Sequence, residues 1–229
     1  MARIGEAAKT GLSAAMLLLS TSCLAMDIVR VPNCTGDVLK LSGDIGPGDF
    51  ARFRGSVGAE RRVRGVDLDS GGGSLDEGFR IAMLAHRLQL TTYVSGECDS
   101  ACAFIFLTST KRYVSPAARI GVHSVSNVHG NEDNGTIRDT IRLARLMAKN
   151  GISPSAIGKM VTTPPGKMSY LNKDDLAALK VIVRNPFDRI IRTSTAQAMK
   201  GASTCDTGAS NSVSKEEGPA SAGSGGKKS

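Results

Sequence analysis

The chain has no tryptophan, and aromatic residues make up only 4% of its 229 positions. Single-stranded nucleic acids are held by stacking bases on aromatics or by basic charge clustered on one element. Here the basic residues are scattered. Their densest group is Arg52, Arg54, Arg61, Arg62 and Arg64, and it reads as a solvated face rather than a nucleic-acid surface. Histidine is also scarce, with three in the chain. Cys98, Cys102 and His123 would supply three metal ligands, but no second Cys or His pair stands at zinc spacing, so no metal is expected. A nucleotide loop of the form Gly-x4-Gly-Lys is missing as well, and no cofactor is expected. No apolar run reaches the ~20 residues that a membrane span requires.

The ends of the chain are distinctive in composition. Arg3 and Lys9 form a basic start, Gly11 to Leu24 a short apolar stretch, and Cys23-Leu24-Ala25 a small-x-small cleavage site, which together predict a signal peptide over residues 1–25. This implies a periplasmic or secreted protein with no transmembrane span once the signal is removed. Anchoring as a lipoprotein at Cys23 is the lesser reading, because Ser20-Thr21-Ser22 lacks the usual aliphatic residue. Removing residues 1–25 takes away Arg3, Lys9 and Glu6 and lowers the formal charge from +8 to +7. Residues 200–229 are rich in Gly, Ser, Ala and Lys and predict a disordered tail. Between the ends lies a short lead at 26–35, one domain at 36–185 and an extension at 186–199. Beyond the signal, Cys34, Cys98, Cys102 and Cys205 remain, and an oxidising compartment permits disulfides. A Cys98–Cys102 bridge and a pair of buried thiols are both open readings.

Between the ends, strands and helices alternate at short spacing, predicting an α/β domain with a parallel sheet. Strands are predicted at Val38–Gly43, Gly65–Asp69, Leu90–Ser95, Arg112–Val114 and Arg119–Val125. A helix at Ser74–Leu88 carries an apolar stripe of Leu75, Phe79, Ala82, Met83 and His86, with Ser74 and Glu77 matching a capping box. A helix at Ser100–Leu107 is apolar on every side and therefore buried. Ser126–Gly135 is polar and reads as a loop. Thr136–Asn150 is an amphipathic helix, a further helix starts at Ser153-Pro154, and Asn172 caps a last one.

Chemistry concentrates at three strand ends. Val66-Asp67-Leu68-Asp69-Ser70-Gly71-Gly72-Gly73 is a strand running into a glycine turn, where backbone amides can point outward unobstructed. Ser100 opens the buried helix, whose amino end carries partial positive charge suited to an oxyanion. His123 closes a strand. Nucleophile, base and amide donors are the parts that acyl transfer requires, and their order suggests a serine hydrolase. Each also has a plainer reading: Ser100 as an ordinary helix cap, His123 as a core histidine and the glycines as a turn. His86 falls on an apolar stripe and reads as structural, and His129 in the polar loop as solvated.

Together these segments, from Leu39 to about Val183, resemble the Clp-type caseinolytic serine peptidases (ClpP) of the ClpP/crotonase superfamily, and most nearly the exported bacterial ClpP-like proteins. The family's Ser-Pro-Gly-Gly turn appears as Ser70-Gly71-Gly72-Gly73, its Gly-x-x-x-Ser nucleophile turn as Gly96-Glu97-Cys98-Asp99-Ser100, and its histidine strand as Arg119-Ile120-Gly121-Val122-His123. Ser126–Asn150 corresponds to its handle region, and Tyr170-Leu171-Asn172 to its Phe-Leu-Ser turn. The resemblance implies a ClpP/crotonase-like fold, a peptide or protein substrate, Ser100 as nucleophile and His123 as general base. It also implies an oxyanion hole from Gly72, Gly73 and Ala101, and a homo-oligomer contacting through the Thr136–Asn150 helix. One departure stands out. Where the family carries its third, acidic member, this chain reads Val161-Thr162-Thr163-Pro164-Pro165-Gly166-Lys167-Met168, without an acid. Asp174 and Asp175 read as helix-capping residues, so a threonine hydroxyl or a backbone carbonyl would have to orient the imidazole. That gap motivates a rival reading, a non-catalytic binding or assembly module on the same scaffold. A crotonase-type acyl-CoA enzyme fits an exported chain less well.

Overall fold

The computed structural model describes residues 25–33, 35–58 and 62–188. The predicted signal peptide, the lipidation reading at Cys23, Cys34, Cys205 and the tail at 200–229 lie outside these residues, Ala25 excepted.

The elements follow as β1 (Asp27–Val31), β2 (Asp37–Ser42), α1 (Asp49–Val57), β3 (Val63–Ser70), α2 (Leu75–Arg87), β4 (Thr91–Asp99) and α3 (Ala101–Thr108). Then come β5 (Arg112–Val114), β6 (Arg119–Val122), α4 (Asn134–Lys149), α5 (Pro154–Thr162), β7 (Ser169–Tyr170), α6 (Lys173–Ala178) and β8 (Ile182–Val183). The architecture is α/β, but the sheet is mixed rather than purely parallel. Its order is β1-β2-β3-β4-β5-β8, with β6 on β4 and β7 on β6. β1/β2 and β6/β7 are antiparallel and the other pairs parallel. The antiparallel partners sit at the margins, where a hairpin-like return needs no crossover helix.

β4 positions the site. It carries β3 along one edge and, along the other, β5 at Thr92–Val94 and then β6 at Glu97–Asp99. Cys98 is paired with both Ser70 and Ile120. The carboxyl ends of β3, β4 and β6 therefore lie side by side, and the turns that leave them begin at Gly71, Ser100 and His123.

The core is built around α3, every residue of which is buried. Phe104 and Phe106 of α3, Phe53 of α1, Leu39 and Leu41 of β2 and Leu68 of β3 are among its largest side chains. Phe53, flanked by Arg52 and Arg54, is thus turned inward and offers no platform for a base.

Several elements differ from the sequence reading. The lead residues form β1, and α1 arises just beyond Gly46-Pro47-Gly48, where only a strand break was read. Asp49 starts α1 and is fully buried, accepting from the amides of Met26 at 3.1 Å and Gly46 at 2.7 Å. On α2 the buried face is Gly78, Ile81, Ala82 and Ala85, whereas Phe79 and Met83 of the predicted stripe are each 37% exposed. Gly78 explains the rotation, since a Cβ there would lie 3.0 Å from the Cβ of Ala101 and α2 meets α3 on small residues. The capping box is half formed. Ser74 accepts from the Glu77 amide at 3.4 Å, but the Glu77 carboxylate instead receives the Phe50 amide of α1 at 2.6 Å. On α4, Met147 is buried while Ile137 and Ile141 are 47% and 42% exposed, so its predicted stripe is divided between core and surface.

Candidate active site

Ser100 stands between β4 and α3 with φ 56° and ψ −118°, and its side chain caps nothing in the helix it precedes. An N-cap serine has extended backbone and accepts from an amide two or three residues on, so the plain capping reading fails here. The backbone values are those of the first central position of a type II′ turn, which glycine dominates. Three features hold the conformation. The Ser100 amide donates to the Gly121 carbonyl at 2.9 Å, tying the turn to β6. A disulfide joins Cys98 to Cys102, both fully buried, with Cα atoms 5.1 Å apart across Ser100. Gly72 lies against the turn so closely that a Cβ there would be 2.8 Å from the Ser100 Cβ. The disulfide also removes the thiolates that a metal site with His123 would have used.

Ser100 and His123 line one cavity of about 400 Å³, together with Gly73, Ala101 and an apolar floor that includes Phe104 and Met160. No hydrogen bond joins Ser100 Oγ to His123. The amides of Gly73 and Ala101 have no acceptor among the described residues. The third predicted donor behaves differently: Gly72 is buried, and its amide donates to Ser70 Oγ at 3.1 Å. Gly72 instead fixes the turn, its carbonyl accepting from the Ile45 amide at 2.7 Å while Ser74 donates to the Ile45 carbonyl at 2.8 Å. This leaves Gly73 facing the cavity.

The His123 ring is oriented by a backbone carbonyl. Its Nδ1 lies 2.6 Å from the Ser124 carbonyl oxygen, which can only accept, so Nδ1 carries the proton and Nε2 is left as the acceptor. The threonine alternative is taken elsewhere: Thr163 Oγ1 donates to the Lys159 carbonyl at 2.6 Å, although the Thr163 carbonyl does receive the Ser124 amide at 2.8 Å. Asp175 is also occupied, boxed with Asn172 at the start of α6 and bonded to Ser155 Oγ at 2.6 Å and Lys159 Nζ at 2.5 Å. Of the other histidines, His86 pairs through Nδ1 with the Thr108 carbonyl at 2.8 Å, and His129 is exposed in its loop. A second groove of about 730 Å³ between α2 and α4 adjoins the cavity through Leu75, Val125 and Ser126.

Sequence reasoning missed the carboxyl group directly before the serine. Asp99 is 6% exposed, and its Oδ1 has no partner. Burial first, and then hydrogen bonding and repulsion from Glu97, push its carboxyl up from the ordinary 3.8 to about 6. The Tyr170 hydroxyl donates to Glu97 at 2.9 Å and holds that carboxyl below its usual range. Gly121 makes the room, since a Cβ there would lie 2.3 Å from Asp99 Oδ1. A carboxyl whose pKa is raised by folding favours the folded state when protonated, so stability falls as pH climbs from about 4 through about 6. Asp99→Asn is expected to raise stability at pH 8 by about 2 kcal/mol and to change it little at pH 4. Urea unfolding at the two pH values checks this, and an equal effect at both would refute it.

No family model matches the chain, and no curated protein does either.

Proposed function

We propose that the chain is an exported, ClpP-like serine hydrolase that cleaves peptides through Ser100 and His123. The observation that carries the reading is the backbone of Ser100. A non-glycine residue held at φ 56° costs on the order of 1–3 kcal/mol, and such strain gathers where a side chain must be presented. Here it lifts a serine off the helix cap and into a cavity shared with a histidine and two unpaired amides.

In this reading Ser100 Oγ attacks the carbonyl carbon of the scissile bond and its proton passes to His123 Nε2. The oxygen that becomes negative is received by the amides of Gly73 and Ala101, each such donor typically supplying ~3 kcal/mol. Collapse of the tetrahedral intermediate expels the amine, which takes the proton from His123. Water then attacks the acyl-serine by the same route and releases the acid. The direct Ser100–His123 hydrogen bond is open, as is common in sites without substrate. Loss of the orienting acid costs an intact triad about 10⁴-fold through the wrong tautomer. The Ser124 carbonyl supplies the correct tautomer, so the penalty here is smaller. The groove that adjoins the cavity favours an extended peptide over a compact acyl group.

The open Ser–His contact and the missing acid are what favour the rival, a peptide-binding module with no turnover. A fluorophosphonate probe separates the two. The hydrolase is labelled once, on the peptide containing Ser100. A wild-type protein that stays unlabelled, or is labelled elsewhere, overturns the reading.

A further inference from the structure

We propose that Glu132 is a positioning residue of this site, acting through Ser124 in the place of the missing triad acid; the inference rests on the hydrolase reading above. The His123 tautomer depends on one carbonyl, that of Ser124, so the Ser124 peptide must not rotate. Three bonds hold it. The Ser124 amide donates to the Thr163 carbonyl at 2.8 Å, and the next amide, that of Val125, donates to Thr140 Oγ1 on α4 at 2.9 Å. The third is the Ser124 hydroxyl, which belongs to a residue only 1% exposed and donates to Glu132 Oε1 at 2.5 Å. Only this bond ends on a carboxylate, and charge-assisted hydrogen bonds are about twice as strong as neutral ones.

Glu132 is built to make it. The preceding loop is organised by Asn127, whose Oδ1 accepts from the amides of His129 and Asn131 at 3.0 and 3.1 Å. The following residue, Asp133, is the N-cap of α4, closing a capping box with Thr136. The Thr136 amide holds the Asp133 carboxyl below its usual range, keeping it ionised in the cap. Glu132 is thereby fixed between a self-bonded loop and a helix start. In a chain with 29 lysines and arginines it forms no ion pair within the described residues, and its carboxylate turns to the buried hydroxyl instead. The connection runs from Glu132 Oε1 to Ser124 Oγ, through the Ser124 peptide to its carbonyl, and on to His123 Nδ1.

The test uses the full chain with Glu132→Ala, Glu132→Gln, Ser124→Ala and the double alanine variant. A loosened imidazole is expected to lower kcat and the fluorophosphonate labelling rate about 10–100-fold in Glu132→Ala, with KM nearly unchanged. Ser124→Ala gives the same loss, and the double variant loses no more than either single change, because both break one connection. Glu132→Gln keeps an acceptor oxygen and recovers most of the rate. Nitrogen NMR of the His123 ring reads the tautomer directly: protonated at Nδ1 in wild type and in Glu132→Gln, mixed in Glu132→Ala. Multiplicative losses in the double variant, or a glutamine no better than alanine, overturn the proposal. An unlabelled wild type defeats the hydrolase reading instead. The ring spectra then decide the role of Glu132 alone, and an unchanged tautomer in Glu132→Ala rejects it.

Discussion

Ser100→Gly is expected to unfold at higher urea than Ser100→Ala, by about 1–2 kcal/mol, and both variants are expected to lose labelling and hydrolysis at least 10⁴-fold. Both substitutions remove the hydroxyl, so the difference between them isolates the backbone. Alanine keeps a Cβ at φ 56° and ψ −118°, whereas glycine adopts these angles freely. The gain is bounded by the larger entropy that glycine brings to the unfolded chain, about 0.5–1 kcal/mol. Flanking bonds, from the Ser100 amide to Gly121 and from Cys98 to Cys102, remain in both variants. A glycine variant no more stable than the alanine one would mean that the turn is relaxed, and the central support for the functional reading would go.

The second large effect concerns three consecutive glycines that should not behave alike. A Cβ on Gly71 meets nothing nearer than Asp44 Oδ1 at 3.9 Å, so Gly71→Ala should fall within about 0.5 kcal/mol of wild type. Gly72 has φ 101°, and a Cβ there would stand 2.7 Å from the Asp99 carbonyl oxygen as well as 2.8 Å from the Ser100 Cβ. Gly73 has φ 129°, and a Cβ would stand 2.3 Å from the Ile45 carbonyl oxygen. Backbone strain and overpacking add at both, and Gly72→Ala and Gly73→Ala should each cost about 3–4 kcal/mol. On the hydrolase reading Gly72→Ala should also abolish labelling, because the displaced neighbour is the turn that carries Ser100. Thermal unfolding of the three variants checks the ranking; equal losses at all three would show a turn that is merely tight.

How far the sequence carried the reading differs from element to element. Ser100, His123 and the glycine turn were legible because each ends a strand, and strand ends are marked by a change from apolar runs to small or polar residues. α3 was legible because Ala101 to Leu107 is apolar on every side. The α2 face was legible only in part: Ala82 lay on the predicted stripe and is buried, but Gly78, Ile81 and Ala85 pack inward where Phe79 and Met83 were expected, and a pattern weighted by side-chain size points to the larger pair. Asp49 hid α1, since a buried carboxylate tied to two amides looks in sequence like one more polar residue after a glycine-rich break. The two-residue strands β7 and β8 are too short to show any alternation. Within the site, the Nδ1 partner of His123 had no sequence signal, because every residue has a carbonyl and only the fold selects that of Ser124. Glu132 was visible but lay in a polar loop, and its hydroxyl partner became apparent only once the chain was folded. Asp99 was hidden by its neighbour: a serine followed by an apolar helix draws the eye past the residue before it.

The unpaired amides of Gly73 and Ala101 have a consequence that precedes any reaction. While the cavity is open to solvent, water satisfies them. A guest that fills it displaces that water and must bring an oxygen to the same place, or leave two donors dry at about 1–3 kcal/mol apiece. That penalty is roughly five- to 150-fold in occupancy for each donor. The floor around Phe104 and Met160 alone would favour a hydrocarbon over an ester of equal shape, whose carbonyl would have to shed its water there. With the amides above it, the empty site already ranks its visitors, and those that bring no acceptor oxygen are disfavoured before Ser100 is tried.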